Sequence, residues 1–169
     1  MIGLLQRVTQ AEVRVGGDPI GKIGRGLMVL VAVHRDDTPK DIARLAERLL
    51  GYRVFPDEAG RMNCSVCDIG GELLLVPQFT LTADTKKGTR ASFTKGAAPD
   101  KASDYFDRLV TACRDGLNVV ETGQFGADMQ VSLTNDGPVT FWLDTHSGSP
   151  IRGQLPNSVP GHEISHLTN

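Results

Sequence analysis

The chain has 169 residues, with 18 Lys and Arg against 20 Asp and Glu and a formal net charge of −2. That length suits one domain with a substantial core. The charge balance does not suggest a sequence-independent grip on nucleic acid, which draws on many basic residues neutralising phosphates, so any RNA contact must be local.

Val8, Val13 and Val15 alternate with Thr9, Glu12 and Arg14, and Gly16-Gly17 with Asp18-Pro19 supplies turn chemistry, so the chain is expected to open as a β-hairpin. Residues 27–33 are continuously apolar and read as a central strand covered on both faces. This is the longest apolar run, and it is too short to span a bilayer or to act as a signal peptide, so a cytoplasmic protein with no membrane attachment is expected. Thr38 caps a helix with Pro39 at its first position, and Ile42, Leu45, Ala46, Leu49 and Leu50 follow the spacing of one buried stripe.

Short strands are predicted at residues 52–55, 73–76 and 79–82. Cys64-x-x-Cys67 has no second pair to complete a four-ligand zinc site, and with Cys113 the thiols are odd in number and sparse. They read as strand or loop thiols rather than a disulfide framework, a redox motif or a metal centre. Gly21-x-x-Gly24-x-Gly26 precedes a strand rather than a helix, so it reads as a turn and not a phosphate loop.

A second helix begins near Pro99-Asp100, carries Ala102, Tyr105, Phe106, Leu109, Val110 and Cys113 on one face, and is predicted to end at Gly116 as its C-terminal cap. Met129, Val131 and Leu133 then alternate inward, and Asn135-Asp136-Gly137-Pro138 is predicted to reverse the chain into a strand over 139–143. The fold class is mixed α/β, a mainly antiparallel sheet packed with two helices. The domain is expected to occupy residues 1–145, and 146–169, rich in Gly, Pro and Ser, to form a disordered tail. His162-Glu163-Ile164-Ser165-His166 in that tail matches a zinc-protease pattern, but it lacks room for a stable helix and a downstream third ligand. No metal and no cofactor are expected.

Two strings carry chemistry. In Val76-Pro77-Gln78-Phe79-Thr80-Leu81, the backbone amides of Phe79 and Thr80 at a strand end can face a developing oxyanion. Thr80 as a nucleophile would need a neighbouring base, for which His34 and His146 are the candidates. Asn135-Asp136-Gly137-Pro138-Val139-Thr140-Phe141 reads locally as a turn, and its Gly-Pro bond is one of the few places where a cis peptide is inexpensive. Downstream of the first string, Lys86, Lys87, Arg90 and Lys95 form a basic cluster that on its own reads as a solvated loop, and beside that string becomes a candidate RNA contact.

In this order and spacing, with Met129-Gln130-Val131-Ser132-Leu133 before the second string and Met1-Ile2-Gly3-Leu4-Leu5-Gln6-Arg7-Val8 opening the chain, the sequence closely resembles the D-aminoacyl-tRNA deacylases. The resemblance runs from Met1 to about Leu143. It implies a layered β/β/α homodimer that hydrolyses D-aminoacyl esters of tRNA, and glycine from mischarged tRNA, as translational proofreading, with its active sites at the dimer interface. Gln78, Phe79 and Thr80 would form the catalytic segment, with attack assisted by the 2′-hydroxyl of the terminal ribose. A cis Gly137-Pro138 from the partner subunit would bind the substrate amine and exclude L side chains. Phe125, through its carbonyl, and Met129 would line the pocket, and Lys86, Lys87 and Arg90 would meet the RNA. Many family members have Ser where this chain has Pro77, which removes a hydroxyl and an amide donor there. Two alternatives stay open: a small esterase or amidase with Thr80 as nucleophile, and a non-catalytic RNA-binding module.

Overall fold

The alternating apolar residues that open the chain build a first strand much longer than a hairpin needs. In the computed structural model, which describes residues 1–146, β1 runs Ile2–Val15 and turns through Gly16-Gly17 into β2, Asp18–Ile23. The continuous apolar run becomes β3, Gly26–Ala32, followed by helix α1, Pro39–Gly51. Two short strands, β4 (Phe55–Pro56) and β5 (Met62–Cys64), pair with each other, and β6 (Glu72–Pro77) returns to the main sheet. Helix α2, Pro99–Arg114, leads to β7, Val120–Thr122, and the long β8, Met129–Asp144.

The main sheet has the order β2-β1-β3-β6-β7, with β8 also paired to β1. β1 runs antiparallel to β2, β3 and β8, whereas β3-β6 and β6-β7 are parallel, so the sheet is mixed with an antiparallel majority. β3 lies at its centre, buried as its continuous apolar run requires. The 14 residues of β1 let it serve two layers. Its first half lies between β3 and β8; its second half carries β2 and the start of β8 over the far side of the sheet, where Val13 and Ile23 pack with Met28, Leu74 and Val76. On the opposite face Leu5, Val29, Val31, Leu73 and Leu75 pack with Ile42, Leu45 and Leu49 of α1 and Phe106 and Leu109 of α2. The result is a β/β/α stack. Burying each such Leu or Ile contributes roughly 1.5–3 kcal/mol.

Helix α1 starts as its sequence dictates: the Asp41 carboxylate accepts from the Thr38 amide at 2.8 Å and from the Thr38 hydroxyl at 2.9 Å. Helix α2 starts at Pro99 but ends differently from the sequence expectation. The cap is Asp115 in right-handed geometry, and Gly116 is a close-packing glycine: a Cβ there would lie 2.7 Å from Leu50 Cδ1 of α1.

Three further local expectations are corrected. Residues 52–54 are not strand, and β4 begins only at Phe55. Residues 79–82 form a 3-10 turn, Phe79–Thr82, because Leu81 and Ala83 donate back to the carbonyls of Gln78 and Thr80 instead of pairing with a neighbouring strand. Asn135-Asp136-Gly137-Pro138 does not reverse the chain. β8 continues in one direction along β1, with Val8 opposite Asn135 and Gln6 opposite Thr140, so these residues bulge out of the ladder. The turn chemistry is present, but apolar alternation on both sides is satisfied by the same partner strand. The tail with its His162–His166 match lies outside the described residues.

Candidate active site

The first string sits where the parallel strands end. The Gln78 amide donates to the Val31 carbonyl at 2.7 Å, which fixes the chain as it leaves β6. The 3-10 turn then begins, and the amides of Phe79 and Thr80 find no backbone acceptor among the described residues, as expected for the first donors of a helical turn. Phe79, though not Thr80 next to it, lines a cleft of about 550 Å³ together with Val76, Gln78, Ala102, Phe125 and Met129, among others. Its far wall is a loop held by the Gly123 amide on the Leu75 carbonyl at 2.8 Å and the Gln124 amide on Met129 Sδ at 3.3 Å. The fold therefore brings together Gln78, Phe79, Phe125 and Met129.

Thr80 is exposed, and its hydroxyl is 2.5 Å from Gln78 Nε2. An amide is not a base, so this hydroxyl has no activating partner among the described residues. His34 and His146 stack edge to face, with ring centroids 5.4 Å apart, and His146 Nε2 lies 2.6 Å from Asp37 Oδ1. That carboxylate is buried and also holds the Met1 ammonium at 2.6 Å, while its second oxygen accepts the His34 amide. Asp37, Asp41 and His146 bring ligand-type atoms within 4.8 Å of one another, and the Met1 ammonium lies against Asp37 and the Thr145 hydroxyl, each at 2.6 Å.

The second string is a separate structure. The Asn135 carboxamide spans the bulge, accepting the Val139 amide at 2.7 Å and donating to the Thr140 hydroxyl at 3.0 Å. From β1, Arg7 Nε donates to the Asp136 carbonyl at 2.8 Å and Arg7 Nη1 to the Val54 carbonyl at 2.6 Å. Gly137 has φ +147°, and a Cβ there would lie 2.7 Å from Val139 Cγ2; the Gly137-Pro138 peptide is cis, and both residues are exposed. Within one chain this bulge is remote from the cleft. It lies opposite Arg7, which pairs with Leu27, whereas Pro77 pairs with Val31, four residues further along β3, or about 13 Å at strand rise.

Lys86, Lys87 and Arg90 are exposed on the loop after the 3-10 turn. That loop is closed by an Asp84–Ser92 bridge, and the Lys86 amide and Lys95 ammonium hold the Asp84 carboxyl below its usual range. Arg7 and Asn135, which pin the bulge, were not among the sequence-derived site residues. A charge at position 7 between inward-facing Leu5 and Val8 was the available signal.

A mixed sheet thus ends at an apolar cleft whose rim carries unpaired backbone amides, and among the described residues no base lies on the Thr80 hydroxyl. The model of the D-Tyr-tRNA(Tyr) deacylase family matches residues 4–144, and the chain belongs to that family. A D-aminoacyl-tRNA deacylase of Alkalilimnicola ehrlichii is 61% identical over 144 residues, covering 85% of this chain and 96% of that protein; one of Cronobacter sakazakii is 57% identical over 143 residues, covering 85% and 99%. Among solved structures, a c-Myc DNA unwinding element binding protein superposes with a TM-score of 0.82 at 38% identity, covering 86% of this chain and 99% of that one.

Proposed function

We propose that the protein hydrolyses the ester joining a D-amino acid, or a mischarged glycine, to the 3′-terminal adenosine of tRNA. The observation that carries this reading is the pair of open amides at Phe79 and Thr80 beside a cleft walled by Phe125 and Met129. The ester carbonyl points at those amides, water adds to it, and the amides stabilise the oxyanion. The neighbouring 2′-hydroxyl of the terminal ribose assists the attack; the intermediate then collapses, and the ribose 3′-oxygen leaves with a proton. Thr80 serves as scaffold, tied to Gln78.

Chirality is read by exclusion. Carbonyls of Gly137 and Pro138 from a partner subunit bind the α-amino group and leave no room for an L side chain, whereas glycine has none to exclude. The separation of bulge and cleft within one chain supports a homodimer, with each subunit completing the other's site. An apolar stretch suited to that contact exists where Trp142, 52% exposed, pairs with Leu4. We place the enzyme in the cytoplasm with its substrate; among the described residues, no helix is long and apolar enough to cross a membrane.

Deacylation of matched D- and L-tyrosyl-tRNA by purified protein tests the proposal. The D-form is expected to be cleaved much faster. Comparable rates would refute exclusion, and tight binding of uncharged tRNA without turnover would favour a binding module instead.

A further inference from the structure

Two phenylalanine rings stand together in solvent beside the cleft. Phe79 is 61% exposed and Phe93 45% exposed, their centroids are 5.3 Å apart, and the planes are tilted by 56°. Apolar rings are not left on a surface in contact with each other without consequence. This pair is also held rigidly. The Thr82 hydroxyl donates to the Phe79 carbonyl at 2.8 Å, the Asp84–Ser92 bridge brings residue 93 back beside the 3-10 turn, and the Gly96 amide donates to the Phe93 carbonyl at 3.0 Å.

The pair has a direction. Phe79 lines the cleft and Phe93 does not, so the rings form a step from the reacting centre outward. The loop that carries Phe93 also carries exposed Lys86, Lys87 and Arg90. Rigid exposed aromatics bordered by cations suit an unpaired polynucleotide strand: bases stack on the rings and phosphates meet the cations. Two solvated rings with no basic neighbours would suit a protein partner equally; the cations on the same loop favour RNA.

We propose that Phe93 is a stacking platform for the nucleobase immediately 5′ of the terminal adenosine, so that the enzyme holds the unpaired 3′ end of its substrate by more than its last nucleoside. The inference rests on the deacylase reading. The terminal nucleoside must enter the cleft past Phe79 to bring its ester to the open amides, which leaves the preceding base at the mouth, beside Phe93. Lys86, Lys87 and Arg90 then lie on the side from which the rest of the strand arrives.

The test compares two substrates, D-tyrosyl-tRNA and D-tyrosyl-adenosine, in Phe93→Ala and Phe93→Trp variants of the full chain. Phe93→Ala is expected to raise KM for the tRNA substrate by about tenfold or more, with kcat little changed, because a base-aromatic stack is worth about that factor. It should leave D-tyrosyl-adenosine unaffected, and Phe93→Trp should restore the tRNA KM. A KM that does not move, or one that rises equally for both substrates, would overturn the proposal, the second outcome showing that Phe93 only shapes the cleft. Binding of a fluorescent single strand ending in CCA with an amide-linked D-tyrosine separates this result from the deacylase reading. If the wild type cleaves neither ester, the deacylase reading fails, and Phe93 still stands or falls on whether an abasic site before the terminal adenosine abolishes the difference between wild type and Phe93→Ala.

Discussion

Thr80→Val removes a hydroxyl while keeping the backbone amide and approximate shape. Since that hydroxyl meets only the Gln78 carboxamide among the described residues, kcat/KM on D-tyrosyl-tRNA is expected to fall by no more than about tenfold, whereas loss of a true nucleophile costs several orders of magnitude. Steady-state kinetics on the folded variant decide between the two, and a substrate ending in 2′-deoxyribose should be poor. Asn135→Ala tests the other string. Its side chain bridges the bulge through the Val139 amide and the Thr140 hydroxyl, so its loss should cost about 1–3 kcal/mol in chemical denaturation. Activity on the D-substrate, or discrimination against the L-form, should fall with it. At this scale the sequence was most legible: Gln78, Phe79, Phe125 and Met129 meet at one cleft. Arg7 was not legible, because its partners, the carbonyls of Val54 and Asp136, lie far off in the chain.

Among the elements, the periodicity of both helices and the start of α1 were readable because they are local, whereas the end of α2 at Asp115 rather than Gly116 was not. Thr38, Pro39 and Asp41 specify the start of α1 whatever packs against it. Burial of the Asp41 carboxyl raises its pKa, but hydrogen bonds from the Thr38 amide and the Thr145 and Thr38 side chains outweigh this, with help from the Met1 ammonium, and bring it to about 2 from an ordinary 3.8. A depressed carboxyl stabilises the fold above its unfolded value. Its contribution is therefore complete above about pH 4 and is lost as pH falls through about 2. Asp41→Asn should abolish that part of the acid sensitivity, measured as the change in urea midpoint between pH 5 and pH 2. Element identity was lost where it depended on distant pairing. Residues 79–82 carry strand-like composition but have no strand to join, and residues 135–138 carry turn chemistry between two segments that both register against β1. Nothing within a few residues of either string distinguishes these outcomes.

For the molecule as a whole, the proposed homodimer is the decisive test. Each chain holds a cleft and a bulge that lie apart, so activity should require two copies. Trp142→Glu places a charge on the exposed apolar stretch paired with Leu4. It is expected to give a folded protein that sediments as a monomer and has lost most deacylase activity; a fully active monomer would contradict the shared site.

The long pairing of β1 with β8 has a consequence for how the chain reaches this state. Ile2 pairs with Asp144 and Val15 with Met129, so β1 must wait for β8, more than a hundred residues on, before its second edge is covered. Until then the opening segment presents an open row of amides and carbonyls to any neighbouring strand, the situation most prone to mispairing between nascent chains. Closing so distant a ladder is slow by its topology, on the order of milliseconds to seconds for sheets dominated by such contacts. A chain interrupted anywhere before β8 would thus be left not as a smaller version of this fold but as an adhesive fragment.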